Sequence, residues 1–115
     1  MRLVETIEDL NVLLAGTSVR PALIFKHSLS CGTSAMAMEE MTDLVAAGPI
    51  EAEFALVRIQ AARAVSDAIA MRLKVRHESP QILLVRDGQV IWSATHWNVT
   101  ARTVQAALGR LAAPV

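Results

Sequence analysis

Cys31 is the only cysteine in this 115-residue chain, and it stands in Cys31-Gly32-Thr33-Ser34. An apolar run ends upstream at Phe25, and a helical pattern starts near Thr33. A thiol at such a junction faces the unpaired N–H groups and the positive end of a helix dipole. Both favour the thiolate, so nucleophilic attack on sulfur is the chemistry to expect. The alternative, a buried inert cysteine, fits poorly with the polar neighbours Ser28, Ser30, Gly32, Thr33 and Ser34. Lys26 and His27, on what reads as the same loop, add positive potential. Ser34 is spaced to donate a hydrogen bond from its hydroxyl to the thiolate, or to serve as an ordinary first-turn residue. A second cysteine at that place would resolve a mixed disulfide internally; serine cannot. One cysteine per chain excludes an intramolecular disulfide, a two-thiol cycle and a multi-cysteine metal or cluster site. Any redox cycle must therefore borrow its second thiol.

Lys26, His27 and Arg76 are candidates to pair with carboxylates of a small thiol. Plainer readings stand beside these: Lys26 as a solvated strand end, His27 and His77 as partners in loop hydrogen bonds. His96-Trp97 reads as a turn whose ring covers the core, in preference to the other reading, a contact with substrate. The three histidines show no ligand spacing, so no metal site is expected. Pro80 stands before an apolar run and, taken alone, reads as a trans proline at a strand entrance.

The elements that must hold these residues follow from periodicity. Ile7, Leu10 and Leu14 recur at helical intervals, with Thr6 and Asp9 as a capping pair and Gly16 as the stop. Residues 21–25 read as a buried strand, and residues 26–33 as a loop. Ala37, Met38, Met41, Leu44 and Val45 share the buried face of a helix, with Glu39, Glu40 and Asp43 opposite and Gly48-Pro49 as the stop. Residues 53–60 alternate as a second strand, and residues 66–74 form a helix with Ser66 as its N-cap. Ile82–Val85 and Val90–Trp92 flank Asp87-Gly88, the signature of a tight hairpin. A last helix spans about Thr100 to Leu111. The order α-β-α-β-α-β-β-α implies an α/β fold: a central mixed four-stranded sheet flanked by helices, with an extra N-terminal helix.

Residues 1–115 read as a single domain. With 53% hydrophobic residues and a net charge of +0, the chain can build a core and is not intrinsically disordered. Residues 1–57 carry eight acids and three bases, and residues 58–115 the reverse, which reads as opposed charged faces. A neutral chain without basic runs is a poor nucleic-acid binder. No apolar run approaches the ~20 residues of a membrane span, and the N-terminus is acidic and amphipathic, unlike a signal peptide. A cytoplasmic location is expected, where thiols stay reduced.

Three segments carry a resemblance: Phe25-Lys-His-Ser-Leu-Ser-Cys-Gly-Thr-Ser34, Val75-Arg-His-Glu-Ser-Pro-Gln81 and Arg86-Asp-Gly-Gln-Val-Ile-Trp-Ser-Ala-Thr-His-Trp97. With the order of elements, they resemble the thioredoxin-like superfamily and, within it, the monothiol bacilliredoxins of the YtxJ type. The cysteine motif departs from the Cys-Pro-Ile-Ser common in that family. The resemblance implies that Cys31, assisted by Ser34, exchanges with mixed disulfides between cytosolic proteins and bacillithiol or a similar low-molecular-weight thiol. No cofactor is then bound; the small thiol is a co-substrate, and a second small thiol or a partner redoxin is the reductant. It further implies a cis peptide at Ser79–Pro80, whose backbone offers substrate an edge beside Cys31. Lys26, His27, Gly32 and Thr33 complete the expected binding residues. A rival resemblance is to the monothiol glutaredoxins that share an iron–sulfur cluster between two chains, through their Cys-Gly-Phe-Ser motif. The Cys-Ser-Asp element expected after the hairpin there is replaced by Ser93-Ala-Thr-His-Trp-Asn98. A second rival is a non-catalytic binding module of the same fold.

Overall fold

The computed structural model describes residues 1–112. Its elements are β1 (Arg2–Leu3), α1 (Ile7–Gly16), β2 (Ala22–His27), α2 (Gly32–Ala46), β3 (Glu53–Arg58), α3 (Arg63–Arg72), β4 (Gln81–Arg86), β5 (Gln89–Thr95) and α4 (Ala101–Ala112), with a single 3-10 turn at His96–Asn98. The sheet runs β1-β3-β2-β4-β5. β1 and β2 lie parallel to β3, while β4 is antiparallel to both β2 and β5. It has five strands rather than four. The added strand is a two-residue edge pairing, Arg2 with Ala55 and Leu3 with Leu56, too short to leave a periodic signal.

Strand alternation divides the core into two layers. Ala22 and Ile24 of β2 pack with Leu10 and Leu13 of α1 and Val65 and Ile69 of α3. Leu23 and Phe25 pack on the other face, with Met41 and Leu44 of α2 and Val104 of α4. The thioredoxin-like layering expected for this chain is therefore present. Thr6 and Asp9 form the capping box of α1: Asp9 N–H donates to Thr6 Oγ1 at 3.0 Å, and Thr6 N–H to Asp9 Oδ2 at 3.2 Å. Asp87 (φ 52) and Gly88 (φ 74) turn the β4–β5 hairpin with positive φ at both positions, as a two-residue type I′ turn requires.

Two boundaries differ from expectation. β2 runs on through Lys26 and His27, because Lys26 pairs with Val57 and Gln81 and His27 with Arg58; the polar pair belongs to the sheet and not to the loop. α3 starts at Arg63, with Ala62 as N-cap and no side-chain cap. Ser66 lies inside the helix, since a backbone turn begins it: Ala62 N–H donates to Arg58 O at 2.8 Å and Ser66 N–H to Ala62 O at 3.0 Å. Among the described residues, no helix is long and apolar enough to cross a membrane.

Candidate active site

β2 and β3 both end, and antiparallel β4 begins, at one end of the sheet. The connections there bring together Cys31, the turn entering α3 and the Ser79–Pro80 bond. Cys31 is the N-cap of α2 in an extended conformation (φ −111, ψ 123), and its side chain makes no capping hydrogen bond. Cys31 is a free cysteine, and the residue is partly exposed. Its carbonyl accepts the first helical bond, from Ala35 N–H at 3.0 Å. The first turn of α2 carries no acid, so nothing there opposes an anion on sulfur. Gly32 is exposed, and Thr33 is half-buried beside it.

Ser34 is fully buried, and its hydroxyl is engaged inside the protein. Ser34 Oγ accepts from Ser28 N–H at 2.9 Å and lies 2.8 Å from His27 Nδ1. The expected Ser34–sulfur hydrogen bond is not made in this arrangement, because the site's nearest polar partners are on the strand end behind it. His27 is buried on the α2 side of the sheet, its ring tilted against Phe25 at a centroid distance of 5.7 Å. Burial pushes the His27 imidazole below its ordinary pKa, and hydrogen bonding at the Ser34 backbone acts the other way.

Lys26 is neither a solvated strand end nor an exposed binding group. Alternation sends it to the opposite face from His27, where it is 0% exposed and donates to the Ser66 carbonyl of α3 at 3.3 Å. Desolvation lowers its pKa to about 8, against the opposing pull of Asp67. Arg76 is almost fully exposed and lies 3.6 Å from Glu78.

The Ser79–Pro80 peptide bond is cis. Gln81 pairs with Lys26, which sets this bond at the same end of the sheet as Cys31. Pro80 is buried, its carbonyl accepting from His96 N–H at 2.9 Å, and the buried Ser79 Oγ has no partner. His96 Nε2 lies 2.9 Å from Glu78 Oε2, and that contact holds the Glu78 carboxyl below the usual range. Trp97 does not cover the core: it is 69% exposed, because the 3-10 turn packs its backbone on α2 and leaves the side chain outside. Leu29 and Met36, flanking Cys31 in sequence, are exposed as well.

Gln60 escaped sequence reasoning. Its Nε2 donates to Ser28 Oγ at 2.9 Å and to Ser30 Oγ at 3.3 Å, while its Oε1 accepts from Leu29 N–H at 3.1 Å. One amide from the β3–α3 turn thus pins three consecutive residues of the cysteine loop. The contacts span about thirty residues of sequence, so no local motif announces them. Replacing Gln60 with alanine is expected to speed amide exchange at Leu29 about fivefold, the worth of one hydrogen bond, with little change in global stability. Unchanged exchange would remove Gln60 from this role.

Among the described residues, no group of three or more His, Cys, Asp or Glu side chains could hold a metal ion. The arrangement suits a sulfur nucleophile: one free, partly exposed cysteine at a helix start without a side-chain cap, on a loop anchored from behind.

A family model described as monothiol bacilliredoxin BrxC matches residues 2–104. Among solved structures, thioredoxin from Fasciola hepatica is similar at 20% identity and a TM-score of 0.76, over 96% of this chain and 98% of that one. A point variant of thioredoxin from Halobacterium salinarum is similar at 18% identity and a TM-score of 0.75, over 99% of this chain and 92% of that one. At such identities these structures establish the thioredoxin fold.

Proposed function

This chain belongs to the monothiol bacilliredoxin family, within the thioredoxin-fold thiol oxidoreductases, and from that premise we propose that it removes bacillithiol, or a similar low-molecular-weight thiol, from mixed disulfides on cytosolic proteins. The observation that carries this reading is the placement of the sole thiol as the N-cap of α2, with no side-chain bond of its own and no acid in the first turn.

The Cys31 thiolate attacks the small-thiol sulfur of a protein mixed disulfide. A new disulfide forms between Cys31 and the small thiol; the old one breaks, and the protein cysteine leaves as thiolate and takes a proton from solvent. A second small thiol or a partner redoxin then attacks the adduct and regenerates Cys31. A thiolate fraction and an accessible sulfur favour both steps. Gly32 presents no side chain to the incoming sulfur and Thr33 borders it. The backbone at Ser79–Pro80 supplies the edge on which the substrate segment rests, and exposed Leu29, Met36 and Trp97 supply apolar contact. Lys26 and His27 serve this site from inside the protein, not by gripping the ligand. The chain acts in the cytoplasm, needs no bound cofactor and engages neither nucleic acid nor membrane.

Intact-mass measurement after mixing the reduced protein with the disulfides of bacillithiol, glutathione and coenzyme A in turn tests this reading. The expected result is one adduct on Cys31, forming fastest with bacillithiol. No adduct with any of the three, or alkylation of Cys31 no faster at neutral pH than that of a free thiol, would overturn it.

A further inference from the structure

We propose that His96 is a positioning residue that fixes the Ser79 backbone for substrate, and so favours disulfides carried on a peptide chain over simple organic disulfides. The inference rests on the exchange chemistry above and names the part of the substrate that this edge reads.

The segment between α3 and β4 belongs to no helix or strand, so its place depends on a few bonds to other residues. Gln81 Nε2 holds its start, donating to Arg76 O at 2.9 Å. His96 holds its end twice. The His96 backbone N–H donates to Pro80 O at 2.9 Å, and its ring Nε2 lies 2.9 Å from Glu78 Oε2. A carboxylate only accepts, so Nε2 carries the proton and donates it to this bond. The two bonds fall on the residues immediately before and after Ser79. Among the described residues, the N–H and carbonyl of Ser79 itself enter no backbone–backbone hydrogen bond. His96 therefore grips both neighbours of a backbone position that is left free to pair with an incoming chain.

His96 is itself firmly placed. It follows Thr95, the last residue of β5, which pairs with Gln81 at the start of β4. Its φ of 54 lies in the left-handed region, which residues other than glycine enter at a steric cost. Such a conformation persists where the surrounding contacts over-determine it, and here the bonds to Pro80 and Glu78 are both made from it. Arg76 also approaches Glu78, at 3.6 Å, but it belongs to the same segment and is almost fully exposed. It ties the segment to nothing outside. A segment fixed before binding has less freedom to lose when a substrate pairs with it. That advantage goes only to a substrate with a peptide group to pair.

His96→Gly tests the inference, because glycine adopts the same φ freely and keeps the backbone N–H while the ring is lost. Two substrates are compared at a fixed concentration of reducing thiol. One is an unstructured peptide in mixed disulfide with bacillithiol; the other is bis(2-hydroxyethyl) disulfide, which has no peptide group. With the peptide substrate, the variant should show a KM about threefold higher, the worth of a partly exposed charged pair. Its kcat should hold, because the thiol that resolves the adduct sets it. With bis(2-hydroxyethyl) disulfide the rates of variant and wild type should coincide. Glu78→Ala breaks the same bond from the other side and should give the same selective loss, and combining the two should cost nothing further. Equal slowing with both substrates would mark a merely structural role and overturn the inference, as would full additivity of the two losses. If wild type exchanges with neither substrate, the exchange function fails; if it exchanges with both and the two single variants are indistinguishable from it, only the positioning role fails.

Discussion

Mixed with a protein mixed disulfide and no other thiol, the reduced protein is expected to release one equivalent of substrate thiol per chain and then stop, while Cys31→Ala releases none. The stop follows from the cysteine count. Cys31 is the only cysteine of the chain, so the adduct it acquires has no internal resolving partner, and Ser34 is not a thiol that could become one. Adding a small thiol should convert the single burst into steady turnover, at a rate set by how fast that thiol attacks the adduct. The effect of Cys31→Ala is all-or-none, since no other side chain carries a sulfur that can exchange. The fold should tolerate the substitution: the side chain makes no capping bond and the residue is partly exposed, so its loss leaves no buried group unpaired. The measurement is the amount of free substrate thiol against time. A burst well above one equivalent without added thiol would mean that the protein can be resolved without a second thiol, which the monothiol scheme forbids. An intramolecular disulfide as substrate should instead end in a stable covalent complex between the two proteins.

What the sequence made legible was whatever is encoded in local period and turn chemistry. The Asp87-Gly88 turn, the Thr6–Asp9 capping box and the buried stripe of α2 at Ala37, Met41 and Leu44 all depend on residues close in the chain, and all three are present. The family was legible from three short segments, and the family match covers the same ground. What escaped depends on partners distant in sequence. Lys26 and His27 look like loop residues because they are polar, yet the neighbouring strands pair with both and continue the sheet through them. Their opposite fates follow from alternation once the strand is extended by two residues: His27 turns to α2 and Ser34, Lys26 to α3 and Ser66. Ser66 carries a residue type favoured at N-caps, but the chain had already turned at Arg58–Ala62, and the serine was carried inside with its Oγ unpartnered. The error over Trp97 has the same root. An aromatic ring predicts burial on average, but the backbone of its turn decides the direction of the side chain, and that turn is held by Pro80 and Glu78 from another part of the chain.

Lys26→Met is expected to make the protein more stable at neutral pH. A fully buried ammonium with a single hydrogen bond, to a backbone carbonyl at 3.3 Å, is poorly compensated for the water it loses. Its pKa falls from 10.5 to about 8, which corresponds to a cost of about 3 kcal/mol borne by the folded state while the group is charged. Methionine has a similar length and fills the same space without the charge; allowing for the lost hydrogen bond, the net gain should be about 2 kcal/mol. The sign with pH is opposite to that of a paired carboxylate. Below about pH 8 both folded and unfolded chains hold the proton, and the full cost is present. Between about 8 and 10.5 the unfolded chain keeps a proton that the folded chain has released, so wild-type stability rises with pH across that window. The methionine variant should lack this rise, and the two stabilities should converge near its upper edge. Denaturant midpoints at neutral and alkaline pH decide the matter; a variant weaker than wild type at neutral pH, or one with the same alkaline rise, would contradict the account. The comparison also bears on function, because Lys26 lies at the end of the sheet that carries Cys31. If the stabilised variant exchanges thiols more slowly, the buried charge is retained for the chemistry of the anionic sulfur, and the folded state carries its cost for that reason.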